Sequence, residues 1–219
     1  MKSTTNIAAG LLITLFSLPA AAADPTIVST WDAGVGTKTV YVYSGMPAAC
    51  DNPTLYGLNV WNDVGAAFAF GWNTANPVTA FREFEVSDSE DKATIYVEDR
   101  VISDPTVYMQ TEVSRLSGTI VDMDIFVNDN YLFYGAGTGA AGTFYCPAAR
   151  DTATPAGQTD FQSAIEHEFG HTIGFQLLPV GEYYGNADCV MYYALPEGVT
   201  NRSLCFGEYN EFRLQYGVR

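Results

Sequence analysis

FQSAIEHEFGHTIG occupies residues 161–174 and carries both of the chain's histidines. Phe161, Ile165, Phe169 and Ile173 recur at four-residue steps, so the segment predicts a helix with one apolar face. Thr159-Asp160-Phe161-Gln162 has the Ser/Thr-x-x-Gln form of a capping box, which predicts Thr159 as the N-cap. Gly174 predicts the stop. His167 and His171 are four residues apart and project from one helical face, a single turn apart. Two imidazoles so placed can grip one Zn²⁺ at ~2.0–2.1 Å. Glu168 points beside that ion. It can take a proton from a water the ion holds, whose pKa falls to about 7, and pass it to a leaving amine. This is the chemistry attached to the pattern His-Glu-x-x-His.

Outward from the helix, the chain reads as one α+β domain. Residues 38–43 alternate with β-branched and aromatic side chains, as a strand does. Residues 52–70 keep loose helical spacing and predict a helix. Residues 81–86 and 93–97 read as strands around a polar turn at 87–92. Residues 119–121 and 123–127 predict one or two further strands, followed by a turn at Asn128-Asp129-Asn130. Residues 135–142 form a Gly/Ala-rich loop. A final short helix is expected over 206–216.

Composition narrows the function. The chain has 219 residues, 47% of them hydrophobic and 16% charged, enough for a proper core. Asp plus Glu number 25 against 10 Lys plus Arg, a net charge of −15. Such a surface repels nucleic acid and anionic membranes. Lys2, an apolar run over 7–18 and Ala21-Ala22-Ala23 predict a signal peptide over residues 1–23, ahead of a single domain over 24–219. No stretch reaches the ~20 apolar residues of a membrane span. In an exported chain, Cys50, Cys146, Cys189 and Cys205 predict two disulfides, with three connectivities possible. Proximity favours Cys189–Cys205, which leaves Cys50–Cys146.

Residues 161–174 and the segment Cys189-Val190-Met191-Tyr192-Tyr193 together resemble the metzincin zinc peptidases, the clan that includes the matrixins. The first resembles their active-site helix and the second their Met-turn. Residues 84–97 and 118–128 resemble the sheet strands that precede the helix. The resemblance implies a metzincin-like catalytic domain: a twisted mixed sheet, a long active-site helix and a C-terminal helix. It assigns His167 and His171 as zinc ligands, Glu168 as the base and Met191 as the apolar floor beneath the metal. Tyr193 falls where some members carry a tyrosine that supports the transition state. The clan's third ligand falls at Leu177, which cannot bind metal, so an oxygen donor is expected from Gln176, Glu182 or Asp188. A thermolysin-like alternative would use Glu208 or Glu211.

The expected protein is therefore a secreted (or periplasmic), monomeric zinc endopeptidase acting on protein or peptide, inserted in no membrane and bound to no nucleic acid. The alternative is a catalytically inactive binding or structural domain on the same fold. Asp122, Asp124, Asn128 and Asp129 are oxygen donors for a structural Ca²⁺. Asn201-Arg202-Ser203 is a glycosylation sequon.

Overall fold

The structure is a computed structural model that describes residues 25–31, 36–43, 46–78, 94–100, 102, 107–128, 133–134, 143–176, 189–192 and 194–219. In chain order its elements are β1 (Thr30–Trp31), β2 (Thr37–Tyr43), α1 (Asp51–Asn62), β3 (Ala69–Val78), β4 (Thr94–Arg100), β5 (Met109–Leu116), β6 (Thr119–Asn128), β7 (Phe133–Tyr134), β8 (Thr143–Tyr145), β9 (Gln158–Asp160), α2 (Phe161–Thr172) and α3 (Phe206–Tyr216). The fold is α+β. Its main sheet runs β1-β6-β4-β2-β3, all parallel, and β5 joins β6 antiparallel. A small parallel sheet, β7-β8-β9, feeds directly into α2. No described helix is long and apolar enough to cross a membrane.

Several expectations are corrected. The helix predicted over 52–70 is α1 and ends at Asn62. That side chain donates to the Phe70 carbonyl (3.0 Å) and accepts from the Phe70 N–H (2.8 Å), turning the chain into β3. Of the one or two strands expected over 119–127 the structure forms one, β6, with a register shift opposite Ser114 and Arg115. A local irregularity of this kind breaks the period-2 pattern without ending the strand. β3 and β5 lack a clean apolar alternation and were not foreseen. The strand at 81–86, its turn at 87–92, the loop at 135–142 and the leader at 1–23 lie outside the described residues.

Helix α2 begins one residue later than the capping box suggests. Asp160, not Thr159, is the N-cap, and its carboxylate accepts from the Ser163 N–H at 2.9 Å. An ionised carboxylate is the stronger acceptor at a positive helix end. Thr154 and Arg202 hold Asp160 in place. Phe161, Ile165, Phe169 and Ile173 are all fully buried, as their spacing requires. Gly174 ends the helix at φ +95°, and a Cβ there would overlap the Ser29 carbonyl oxygen. Both disulfides form with the favoured pairing. Cys50–Cys146 ties the start of α1 to the end of β8, and Cys189–Cys205 anchors α3 beside α2.

The helices share one core over the sheet. Trp61 of α1 is fully buried, donates its indole N–H to the Glu166 carbonyl (2.9 Å) and meets Phe212 of α3 edge-on. The Tyr216 hydroxyl donates to the Ile173 carbonyl at 2.9 Å, which fastens α3 to the end of α2. A Cβ on Gly170 would overlap the Met191 sulfur and come within 2.9 Å of Trp61 Cζ2. Gly170→Ala is therefore expected to cost roughly 1–3 kcal/mol through overpacking, read as a lowered midpoint in denaturant.

Glu166 is the odd member of this core. It is fully buried, and neither carboxylate oxygen has a hydrogen-bond partner among the described residues. Burial first, then the Glu208 charge, push its pKa well above 4.5. A carboxyl raised in the folded state contributes stability that is complete below 4.5 and lost as pH rises through the folded value. Stability should fall as pH is raised from about 4.5. Glu166→Gln should flatten that dependence in thermal scans across pH.

Candidate functional site

His167, Glu168 and His171 line one cavity of about 1000 Å³. It lies between α2, the strand β5 and the segments around Val190 and Leu195. The imidazole rings of His167 and His171 stand edge to face, with centroids 4.7 Å apart and planes at 85°. Each Nδ1 lies 2.8 Å from a backbone carbonyl oxygen, Val190 for His167 and Phe175 for His171. A carbonyl cannot donate, so each Nδ1 must carry the hydrogen. A neutral ring with its hydrogen on Nδ1 presents an Nε2 lone pair, and the two Nε2 atoms face each other at 3.1 Å. Two lone pairs at that distance repel unless a cation lies between or beside them.

A proton on His171 is disfavoured. Burial, then the charge on His167, hold the His171 pKa down to about 3. A divalent ion fits better. At ~2.0–2.1 Å from both nitrogens it would subtend about 100°, close to tetrahedral. The outer N–H···O=C bonds are what a metal-ligating histidine ordinarily makes. The residues present therefore suit a zinc-type ion, and His167 and His171 could hold it.

Glu168 is buried, and burial raises its pKa, while the His167 charge and the Thr111 hydroxyl act the other way. Thr111 Oγ1 donates to Oε2 at 2.6 Å, fixing the carboxylate beside the histidines. Thr111 belongs to β5, and nothing in the sequence marked it. Met191 is fully buried against Gly170, between the two histidine positions of α2.

Glu208 holds this arrangement from behind. Its carboxylate accepts from the backbone N–H groups of Met191 (2.5 Å), Cys205 (2.8 Å) and Val190 (3.2 Å). It thereby fixes the Val190 carbonyl that orients His167. Burial pushes its pKa up to about 7, against the pull of the Met191, Cys205 and Val190 N–H bonds. Glu208 is thus committed to backbone, and Glu211 accepts from the Ile27 N–H and the Gln215 amide. Neither is aimed at the histidines, which corrects the thermolysin-like alternative. The acidic signal at the third position of α3, Cys205-Phe206-Gly207-Glu208, is the clue that could have revealed this cap.

Of the third-ligand candidates, Gln176 lines the same cavity as His171. Leu177, Glu182, Asp188 and Tyr193 lie outside the described residues. Asn128 spends its amide on the Ile102 N–H and the Val107 carbonyl. Asp122 and Asp124 are buried on β6, and Asp129 lies outside the described residues. The Asn201 side-chain nitrogen donates to the Cys189 carbonyl, so the sequon is built into the cavity wall, an arrangement that opposes glycosylation. Cys189, Cys205 and Glu208 also cluster, but the two sulfurs are joined as a disulfide and so are spent as ligands. Compared with known proteins, the chain matches no family model and no curated protein.

Loss of the Glu208 carboxylate should loosen the carbonyl behind His167. Glu208→Ala is expected to weaken zinc binding ~10–100-fold in competition with a chromogenic chelator. The Glu211→Ala protein serves as the control and should bind as the parent does.

Proposed function

We propose that this protein is a zinc-dependent endopeptidase of metzincin type. The observation that carries the reading is the pair of bare Nε2 atoms 3.1 Å apart, with both Nδ1 hydrogens already committed to backbone and a buried carboxylate alongside. Bound there, zinc would supply Lewis acidity, lowering the pKa of water and polarising a carbonyl.

The chain's own residues do the rest. Glu168 accepts the proton from water and returns it to the leaving amine. Burial raises its pKa above that of a free carboxyl, the direction that favours a group taking and returning a proton. Thr111 holds the carboxylate in place through its hydroxyl, which donates to Oε2, and through its backbone. The Val190 and Phe175 carbonyls keep both imidazoles in the ligating tautomer. Met191 and Gly170 keep the floor beneath them dry and closely packed. The third ligand is proposed to be Gln176, Glu182 or Asp188.

A peptide substrate is favoured by the position of β5. It is the outermost strand on its side of the sheet among the described residues, and Met109, Thr111 and Val113 line the cavity. An extended chain can pair with such an edge, its backbone hydrogen bonds supplying affinity. The metzincin reading is supported by the Gly174 stop, the buried Met191 and the helix α3 that follows it. The second reading, an inactive binding domain, is favoured by Leu177 at the clan's third-ligand position. Two disulfides fit an exported chain.

The deciding experiment measures zinc content and cleavage of a broad peptide library together. About one ion per chain is expected, with cleavage abolished by chelator and restored by zinc. Glu168→Ala should keep the metal and lose roughly 10²–10⁴-fold in kcat/KM. Zinc-loaded protein that cleaves nothing would establish the inactive domain, and protein that takes up no zinc would remove both metal-based readings.

A further inference from the structure

Arg115 has no part in the chemistry above, yet it lines the same cavity as His171, Phe175 and Gln176. Among the described lining residues it is the one with a fixed positive charge, and Glu168 is the one carboxylate. In a chain with 10 cations against 25 acids, a cation in the cleft is unlike the rest of the surface. Its Nε donates to Ser29 Oγ at 2.8 Å, and Ser29 is buried next to the end of α2. That bond pins the stem and leaves the terminal Nη1/Nη2 edge uncommitted, with no other hydrogen bond or ion pair among the described residues. A guanidinium held by Nε alone offers a planar two-pronged fork, the shape that matches a carboxylate.

We infer that Arg115 forms a carboxylate-binding subsite at the His171 end of the cleft, selecting peptides that carry an acidic side chain or a free C-terminus. Arg115 lies four residues along β5 from Thr111, roughly 13 Å on a strand rise of ~3.3 Å per residue. A peptide extended along β5 would therefore meet it a few residues from the bond beside Glu168. The inference rests on the peptidase reading for the placement of the substrate, and its test is chosen to separate the two.

The probe is a fluorescent peptide series in which Glu replaces Gln at each position in turn, made with both acid and amide C-termini. Binding is measured by anisotropy on Glu168→Ala protein, and kcat/KM on the parent. At one position Glu should bind about tenfold tighter than Gln. If the gain follows the acid terminus instead, the carboxylate recognised is the C-terminal one. Arg115→Met should bring the acid-to-neutral ratio close to one, and Arg115→Lys should restore only part of it. Circular dichroism checks that both variants fold. A ratio near one in the parent series, or a ratio unchanged in Arg115→Met, overturns the subsite. Cleavage without acid preference would leave the peptidase standing and the subsite refuted. An Arg115-dependent preference in binding, without any cleavage, would do the reverse.

Discussion

Two hydrogen bonds from imidazole to backbone hold the centre of this protein together. Because the Val190 and Phe175 carbonyls can only accept, they force the hydrogen of each ring onto Nδ1. The consequence is a pair of Nε2 atoms turned toward one another, 3.1 Å apart. The surrounding fold exists to hold those carbonyls still. Phe175 is placed by the turn at Gly174, where only a residue lacking Cβ clears the Ser29 carbonyl. Val190 is placed by Glu208, which grips the amide of Val190 itself, that of Met191 and that of Cys205 at the start of α3. The disulfide Cys189–Cys205 closes the same loop covalently.

Three buried carboxyls near α2 show how environment sets role. Glu168 has one hydroxyl partner and lines a cavity, so its oxygen can exchange protons with a bound molecule. Glu208 has three amide partners and no reactive neighbour, so it works as a structural clamp. Glu166 has no side-chain partner among the described residues and lies between α1 and α2, where ionisation is strongly opposed. The same side chain thus lines a cavity, caps a helix and sits unpartnered in the core within one helix pair. Burial raises all three pKa values, and the available hydrogen bonds then separate their roles.

The helical elements were the most legible part of the fold. The apolar spacing of α2, its Gly174 stop and the whole of α3 appear where local pattern put them. Local pattern failed where tertiary contacts override it. Asp160 takes the cap from Thr159 because Thr154, six residues before it, and Arg202, 42 residues beyond it, fix its carboxylate at the helix end. β5 was missed because an edge strand with alternating Gln110, Glu112 and Thr111 has no continuous apolar face to announce it. The irregularity within β6 left one strand and two equally open from the pattern. Thr111 and Arg115, both on β5, were lost with it, and so was one wall of the cavity.

Sequence alone determined that two imidazoles would stand one helical turn apart beside a carboxylate, because the spacing of His167, Glu168 and His171 is enforced by the helix itself. It also determined that Met191 follows that helix with cysteines able to close the loop. Only the tertiary structure decided which ring nitrogen carries the hydrogen, which carbonyl holds it there, and which strand lies over the site. Phe175 is local, but Val190 and Thr111 come from 23 and 57 residues away along the chain, and their meeting with α2 is set by sheet order and core packing rather than by any local rule of spacing.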